Sequence, residues 1–282
     1  MGLAMEQLET EWTQYPVIKF DLSIAKSSEI INVEDGLSRQ LRQYEAIYGR
    51  DEESRSFSSR MADLIYRANA QTGQKVVVLI DEYDAPILEV LHDEGKREKV
   101  RHLLREFYSP LKSCDRYLRF VFLTGISMFS QLSIFSELNN LKIISSDEKY
   151  SSICGITLNE LLQNFQYGIN KFADKLHCST DEVVLKLKDA YDGYHFSQGS
   201  VGVFNPYSLL NAFDCSELGN FWFASGTPRA LFEMLKKYQQ QGKFNVEILD
   251  SSRTMNSSAF ESPLEMQDGP IPLLYQAGYL TI

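Results

Sequence analysis

The feature that most constrains this chain is an unbroken apolar run that ends in acid. Lys75 is followed by five branched aliphatic residues, Val76-Val77-Val78-Leu79-Ile80, and then directly by Asp81-Glu82-Tyr83-Asp84. A run of this kind predicts a strand buried on both faces, as in a parallel sheet. Two adjacent carboxylates at its exit are costly, because charges leave water and repel one another. A fold tolerates that cost where an ion or ligand offsets it, and in parallel α/β sheets ligands sit beyond the carboxyl ends of the strands. On this reading Asp81 holds a divalent cation and Glu82 orients and deprotonates a water. The competing reading is a strand that ends in solvated acids, or acids that cap the next helix.

The neighbouring segments fit an α/β layer. Pro16-Val17-Ile18-Lys19-Phe20-Asp21-Leu22 reads as a short strand. Leu37, Leu41, Tyr44 and Tyr48 recur at helical steps up to Gly49, after the capping candidates Ser27 and Ser28. A second helix runs from about Ser58, with Met61, Leu64, Ile65 and Ala68 on one face and Gly73 at its end. Pro86 suits the first turn of a helix that Asp84 could cap. Leu88, Leu91, Val100, Leu103 and Leu104 form an apolar stripe, and Arg119 to Gly125 predicts another buried strand. Ile153 to Thr157 predicts a further short strand.

Alternation of strand and helix over 16–157 predicts a parallel sheet flanked by helices. Beyond Thr157 helical periodicity dominates, at Leu158–Phe172, Asp181–Tyr191, Pro206–Phe213 and Pro228–Tyr238, with turns and a short hairpin between Tyr191 and Asn205. Two domains are therefore expected: an α/β core over 1–157, and a mostly helical accessory part over 158–282, lid-like or winged-helix-like. Residues 239–262 are polar and weakly patterned, and read as a mobile loop.

Composition removes several function classes. The net charge of -10 disfavours direct binding of nucleic acid by this piece, and the chain contains no run of five or six basic residues. Cys114, Cys154, Cys178 and Cys215 are widely spaced, which argues against zinc and for isolated buried thiols. The amino terminus is acidic and has no long apolar run, and no stretch suits a membrane span, so a cytoplasmic location is expected. Thr124 ends its strand where a polar side chain could sense a γ-phosphate or a lytic water, although Thr124-Gly125 could equally start a turn. Arg229, in Gly226-Thr227-Pro228-Arg229, could reach a phosphate or be an ordinary surface residue. Phe129, Phe135, Phe204, Tyr207, Phe221 and Trp222 could mediate assembly, or simply fill a core.

Seven strings carry a family resemblance: YPVIKFDLS, VVVLIDEYDAPI, LRFVFLTGISMFSQLSIFSELNNL, ICGIT, FNPYSLLNAF, FWFASGTPRAL and LLYQAGYLTI. Together, and in this order, they resemble the AAA-ATPase-like family of bacterial P-loop proteins. The resemblance implies a P-loop ATPase domain that uses Mg²⁺ and ATP, often followed by a PD-(D/E)XK nuclease-like domain. It matches Asp81 and Glu82 to the Walker B acids, with Asp81 as metal and cofactor ligand, Thr124 to the sensor position, and leaves Arg229 as a candidate phosphate contact. Oligomeric state stays open.

The sequence departs from the family at one decisive point. No G-x-x-x-x-G-K-[ST] occurs; Gly95-Lys96 and Gly242-Lys243 lack the following Ser or Thr and the preceding buried strand. No D-x(n)-[DE]-x-K core occurs either. The resemblance therefore implies an incomplete AAA-like sheet, cut at both ends, with a gap in its middle, between the sensor strand and the strand after it, where the phosphate-loop strand belongs and backbone groups would be unpaired. Hydrolysis is then expected in an intact parent and weak or absent in this chain. The alternative is a non-catalytic interaction or regulatory module built on a degenerate ATPase fold.

Overall fold

The computed structural model describes residues 5–91, 93–126, 138, 140–197, 199–224, 229–244 and 269–281. The chain divides into two compact units, the first reaching Leu141 and taking in 263–265, the second comprising 142–262 and 266–282.

The first unit is built on a three-stranded sheet in the order β1 (Val17–Asp21), β2 (Val76–Asp81), β3 (Leu118–Leu123). Both pairings are parallel, with Ile18 opposite Val78 and Leu79 opposite Phe122. The three strands are consecutive neighbours, so the expected interruption does not fall between them. Three long helices supply the crossovers: α1 (Ile30–Tyr48), α2 (Phe57–Thr72) and, beyond the short α3 (Ala85–Glu89), α4 (Glu94–Tyr108). Local chemistry sets their ends. Ser56 accepts a hydrogen bond from the Ser59 N–H at 3.1 Å to start α2, and Gly73 closes it in a left-handed conformation, φ 67°. The α1 helix starts at Ile30 and is not capped by Ser27 or Ser28, although Gly49 ends it as expected.

The core lies on one face of the sheet. Ile18, Phe20, Val76, Val78 and Ile80 are buried there against Leu37, Leu41, Leu64, Ile65, Leu104 and Phe107. The Phe20 and Phe107 rings meet edge to face, centroids 5.1 Å apart. The other face carries Val17, Val77, Leu79, Phe120 and Phe122, and it is only partly covered. β2 is thus fully buried on one side and half-buried on the other, not enclosed on both as its sequence suggests. The expectation of a buried strand fails more clearly for β3, where Phe120 is 52% exposed and stacks on Phe122. Among the described residues β3 is an edge strand, like β1, but it is buried only at Leu118.

The two sheet edges are finished differently. On β1 the outward backbone of Lys19 is satisfied by the Tyr44 hydroxyl, which accepts from its N–H at 2.8 Å and donates to its C=O at 3.0 Å. The outward backbone of Asp21 is satisfied by the Gln40 amide in the same two-way manner, at 2.7 and 2.9 Å. Both side chains come from α1. Just past β3, Thr124 faces β2, its N–H donating to Ile80 C=O and its C=O accepting from Tyr83 N–H, each at 2.9 Å. By alternation Val121 and Leu123 face outward. Among the described residues nothing bonds to their backbone groups.

The second unit has its own core, including Leu161, Phe172, Val183, Leu187, Phe204 and Leu209. Ile156–Thr157 does not join the parallel sheet. It pairs antiparallel with Val203–Phe204, and so belongs with the helical part. Thr157 then caps Leu158–Asn164 in a reciprocal capping box with Glu160. Further helices span Gln166–Leu176, Thr180–Tyr191, Pro206–Cys215 and Arg229–Gln240. The segment expected to be a mobile loop lies, from residue 245 on, outside the described residues. Phe204 is core, whereas Tyr207 and Trp222 are exposed; Phe129 and Phe135 lie outside the described residues. Of the four thiols, Cys114 is buried but Cys154 and Cys215 are exposed, against the expectation for isolated cysteines. No helix among the described residues is long and apolar enough to cross a membrane.

Candidate functional site

The carboxyl ends of the three strands bring together Asp21, Asp81, Glu82 and Thr124. Asp21 and Asp81 are register partners at the ends of β1 and β2. The Thr124 hydroxyl, just past β3, donates to Asp81 Oδ1 at 2.7 Å, and the Glu82 N–H donates to the same oxygen at 3.1 Å. Two donors on one oxygen fix the carboxylate plane. Asp81 Oδ2 has no bonding partner among the described residues. Asp21 is turned by local bonds, its Oδ1 accepting from the Ser23 N–H at 3.0 Å and the Ser23 hydroxyl at 2.6 Å.

Glu82 leaves the strand with φ 49°, in the left-handed region. For a residue with a Cβ this costs roughly 1–2 kcal/mol, and such strain persists where the surrounding structure over-determines it. Here the turn is held on both sides. Tyr83 is bonded to β3 through its N–H, and its C=O accepts from the buried Tyr108 hydroxyl at 2.9 Å. Burial raises the carboxyl pKa of Glu82, and the charges of Asp21 and Asp81 raise it further; Lys26 opposes them. Burial also holds the Tyr108 phenol well above its ordinary value.

The expected trio Asp81, Glu82 and Thr124 therefore converges. Arg229 begins the helix Arg229–Gln240 in the second unit, and its side chain lies outside what is described. Asp84 does not cap α3: it occupies the N-cap position without a side-chain cap bond. Sequence reasoning missed Asp21 as a third carboxylate, although its segment, like β2, runs from apolar strand into Asp. It also missed Lys26 as the nearby cation. No group of three or more potential metal ligands is close enough among the described residues to form a complete protein-only metal cage. The oxygens present are hard carboxylate and hydroxyl donors, the chemistry that suits Mg²⁺ with most of its shell supplied by water or phosphate.

Residues 1–135, nearly all of the first unit, match the AAA-ATPase-like family, described as "Predicted AAA-ATPase". An uncharacterised protein from the vnfD 5' region of Azotobacter chroococcum mcd 1 is 33% identical over 274 residues. That alignment takes in 96% of this chain and 50% of the relative, so the chain spans half the length of the protein it resembles. No solved structure matches it.

Proposed function

We propose that the Asp81–Glu82–Thr124 cluster is the cation and water end of an ATP-hydrolysing site, the Walker B and sensor elements of an AAA-like ATPase. The observation that carries this reading is the Thr124 hydroxyl bonded to Asp81 Oδ1 at 2.7 Å across adjacent parallel strands, which leaves Oδ2 open at the carboxyl edge. Asp81 Oδ2 would hold Mg²⁺ directly or through water. Bound Mg²⁺ would supply neutralisation of phosphate charge. Glu82, whose carboxyl pKa is raised by burial and by the charges of Asp21 and Asp81, suits a general base that takes a proton from water. Thr124, bonded to Asp81, would report on whatever sits against that carboxylate. Arg229 remains a candidate phosphate contact.

A phosphate-binding loop is not encoded within these 282 residues, so nucleotide binding in this reading needs one from another segment. The outer edge of β3, which has no backbone partner among the described residues, supports a strand arriving there, beside the sensor strand where the family resemblance puts it. The same missing loop favours a second reading, a non-catalytic interaction or regulatory module. A partner domain of the nuclease-like type, cytoplasmic location and oligomerisation stay with the family resemblance as proposals.

ATP turnover in a longer protein that carries the loop separates the two readings, and calorimetry of Mg-ATP on the purified chain, with Asp81→Ala as control, tests whether these residues bind nucleotide by themselves. Binding abolished by Asp81→Ala supports a nucleotide site. Absence of binding in the chain, with Glu82→Gln leaving turnover intact in a longer protein that carries the loop, would sink the catalytic role of Glu82.

A further inference from the structure

The turn that leaves β2 and the segment that leaves β3 are interlocked, and one buried carboxylate holds them. Asp84 is 1% exposed. An acid at the first residue of a helix ordinarily bonds the free N–H groups there. Asp84 does not; its Oδ1 accepts instead from the Ile126 N–H, 3.3 Å away across the gap to β3. Gly125 makes this approach feasible. A Cβ at that position would lie 2.6 Å from Asp84 Oδ1 and 2.7 Å from Tyr83 Cε1, closer than such atoms are found. The neighbouring Tyr83 N–H bonds Thr124 C=O at 2.9 Å, so two successive residues of the exit turn grip three successive residues beyond β3. The first of those three is Thr124, whose hydroxyl orients Asp81.

We infer that Asp84 is a positioning residue for the Asp81–Glu82–Thr124 site: by fixing the Gly125–Ile126 backbone it keeps the Thr124 hydroxyl on Asp81 Oδ1, and so presents Oδ2 to a divalent cation. Burying a carboxylate is costly unless it is well bonded, and using it on the loop instead of the helix end directs that cost to the site. The geometry stands alone; its effect on cation binding rests on the ion-site reading above.

The test uses Mn²⁺ alone as probe, with free Mn²⁺ followed by electron paramagnetic resonance, alongside amide hydrogen exchange without metal. Asp84→Ala should weaken Mn²⁺ binding about tenfold, the lower end for loss of an outer-shell support. Asp84→Asn keeps an oxygen that accepts from Ile126 and should restore affinity to within about twofold. Gly125→Ala should behave as Asp84→Ala. Leu104→Ala, a core truncation in the same unit, should lower stability without moving Mn²⁺ affinity. Exchange at the Ile126 amide should rise about tenfold in Asp84→Ala. Unchanged exchange overturns the interlock. Faster exchange with Mn²⁺ affinity that merely tracks stability, Leu104→Ala included, overturns the positioning role. A native chain whose Mn²⁺ uptake is nil, or indifferent to Asp81→Ala, overturns the ion site itself, while faster exchange in Asp84→Ala would still uphold the interlock.

Discussion

The β1 side of the sheet and the β3 side are built to different rules. On the β1 side every outward backbone group of Lys19 and Asp21 is matched by a side chain from α1, and the strand's inner face is wholly buried. On the β3 side the outward groups of Val121 and Leu123 have no partner among the described residues, Phe120 is exposed, and the adjoining exit turn carries a left-handed Glu82 among like charges. The β1 edge, Asp21 included, is sealed, while the exit of β2 carries strain and like-charge repulsion beside an edge with no partner among the described residues, a pattern expected where local rules yield to a site.

This contrast is open to attack by substitution. The largest effect should come from Gln40→Leu, which removes a side chain only 4% exposed and strands the partly buried N–H and C=O of Asp21. At about 1–3 kcal/mol for each unsatisfied group, urea unfolding should show a loss of roughly 2–4 kcal/mol. A loss under about 1 kcal/mol would mean the edge is not sealed by Gln40. Tyr44→Phe removes the equivalent pair at Lys19, which is more exposed, and should cost about 1 kcal/mol. On the opposite side the sign should reverse. Glu82→Gly relieves the left-handed backbone and should stabilise the first unit by up to about 1 kcal/mol while abolishing any role of the carboxylate. A destabilised Glu82→Gly would show that the turn is not strained. Val121→Pro removes an N–H that bonds nothing described, and should cost less than about 1 kcal/mol by thermal melting.

The smallest effect is on pH dependence. The folded-state pKa of Glu82 lies above its ordinary 4.5. The native chain therefore binds the proton more tightly, and stability from this group is full below 4.5 and lost as pH rises through the raised value. The group is partly solvated, so the change should be about 0.5 kcal/mol or less. Comparing Glu82→Gln with the native chain across that window isolates it; identical slopes would remove the like-charge account.

Much of the first unit was legible in the sequence because its signals are local. The aliphatic run of β2, the apolar stripe of α2 from Met61 to Ala68, and the Gly49 and Gly73 stops each depend on near neighbours, and each is found where expected. The convergence of Asp81, Glu82 and Thr124 was legible from two strands ending in polar residues. Gln40 was not, because an amide on the buried face of a helix signals nothing until the strand it seals is beside it. Asp84 was misread as a cap because the rule for helix starts is local, while its partner is Ile126, 42 residues away. The pairing of Ile156–Thr157 with Val203–Phe204 is similarly a long-range closure that no window contains. The left-handed turn at Glu82 violates the preference of its own residue type, so propensity points away from it.

The edge of β3, unpartnered among the described residues, also bears on how the isolated chain behaves in concentrated solution. An exposed strand edge with an exposed aromatic is adhesive, and natural proteins protect such edges with charge, proline or bulges. β3 has one charged residue, Arg119, beside an irregularity in its pairing, and Phe120 next to it is open. Preparations should therefore self-associate through this strand as concentration rises. Phe120→Lys should improve solubility without disturbing Asp81 or Thr124.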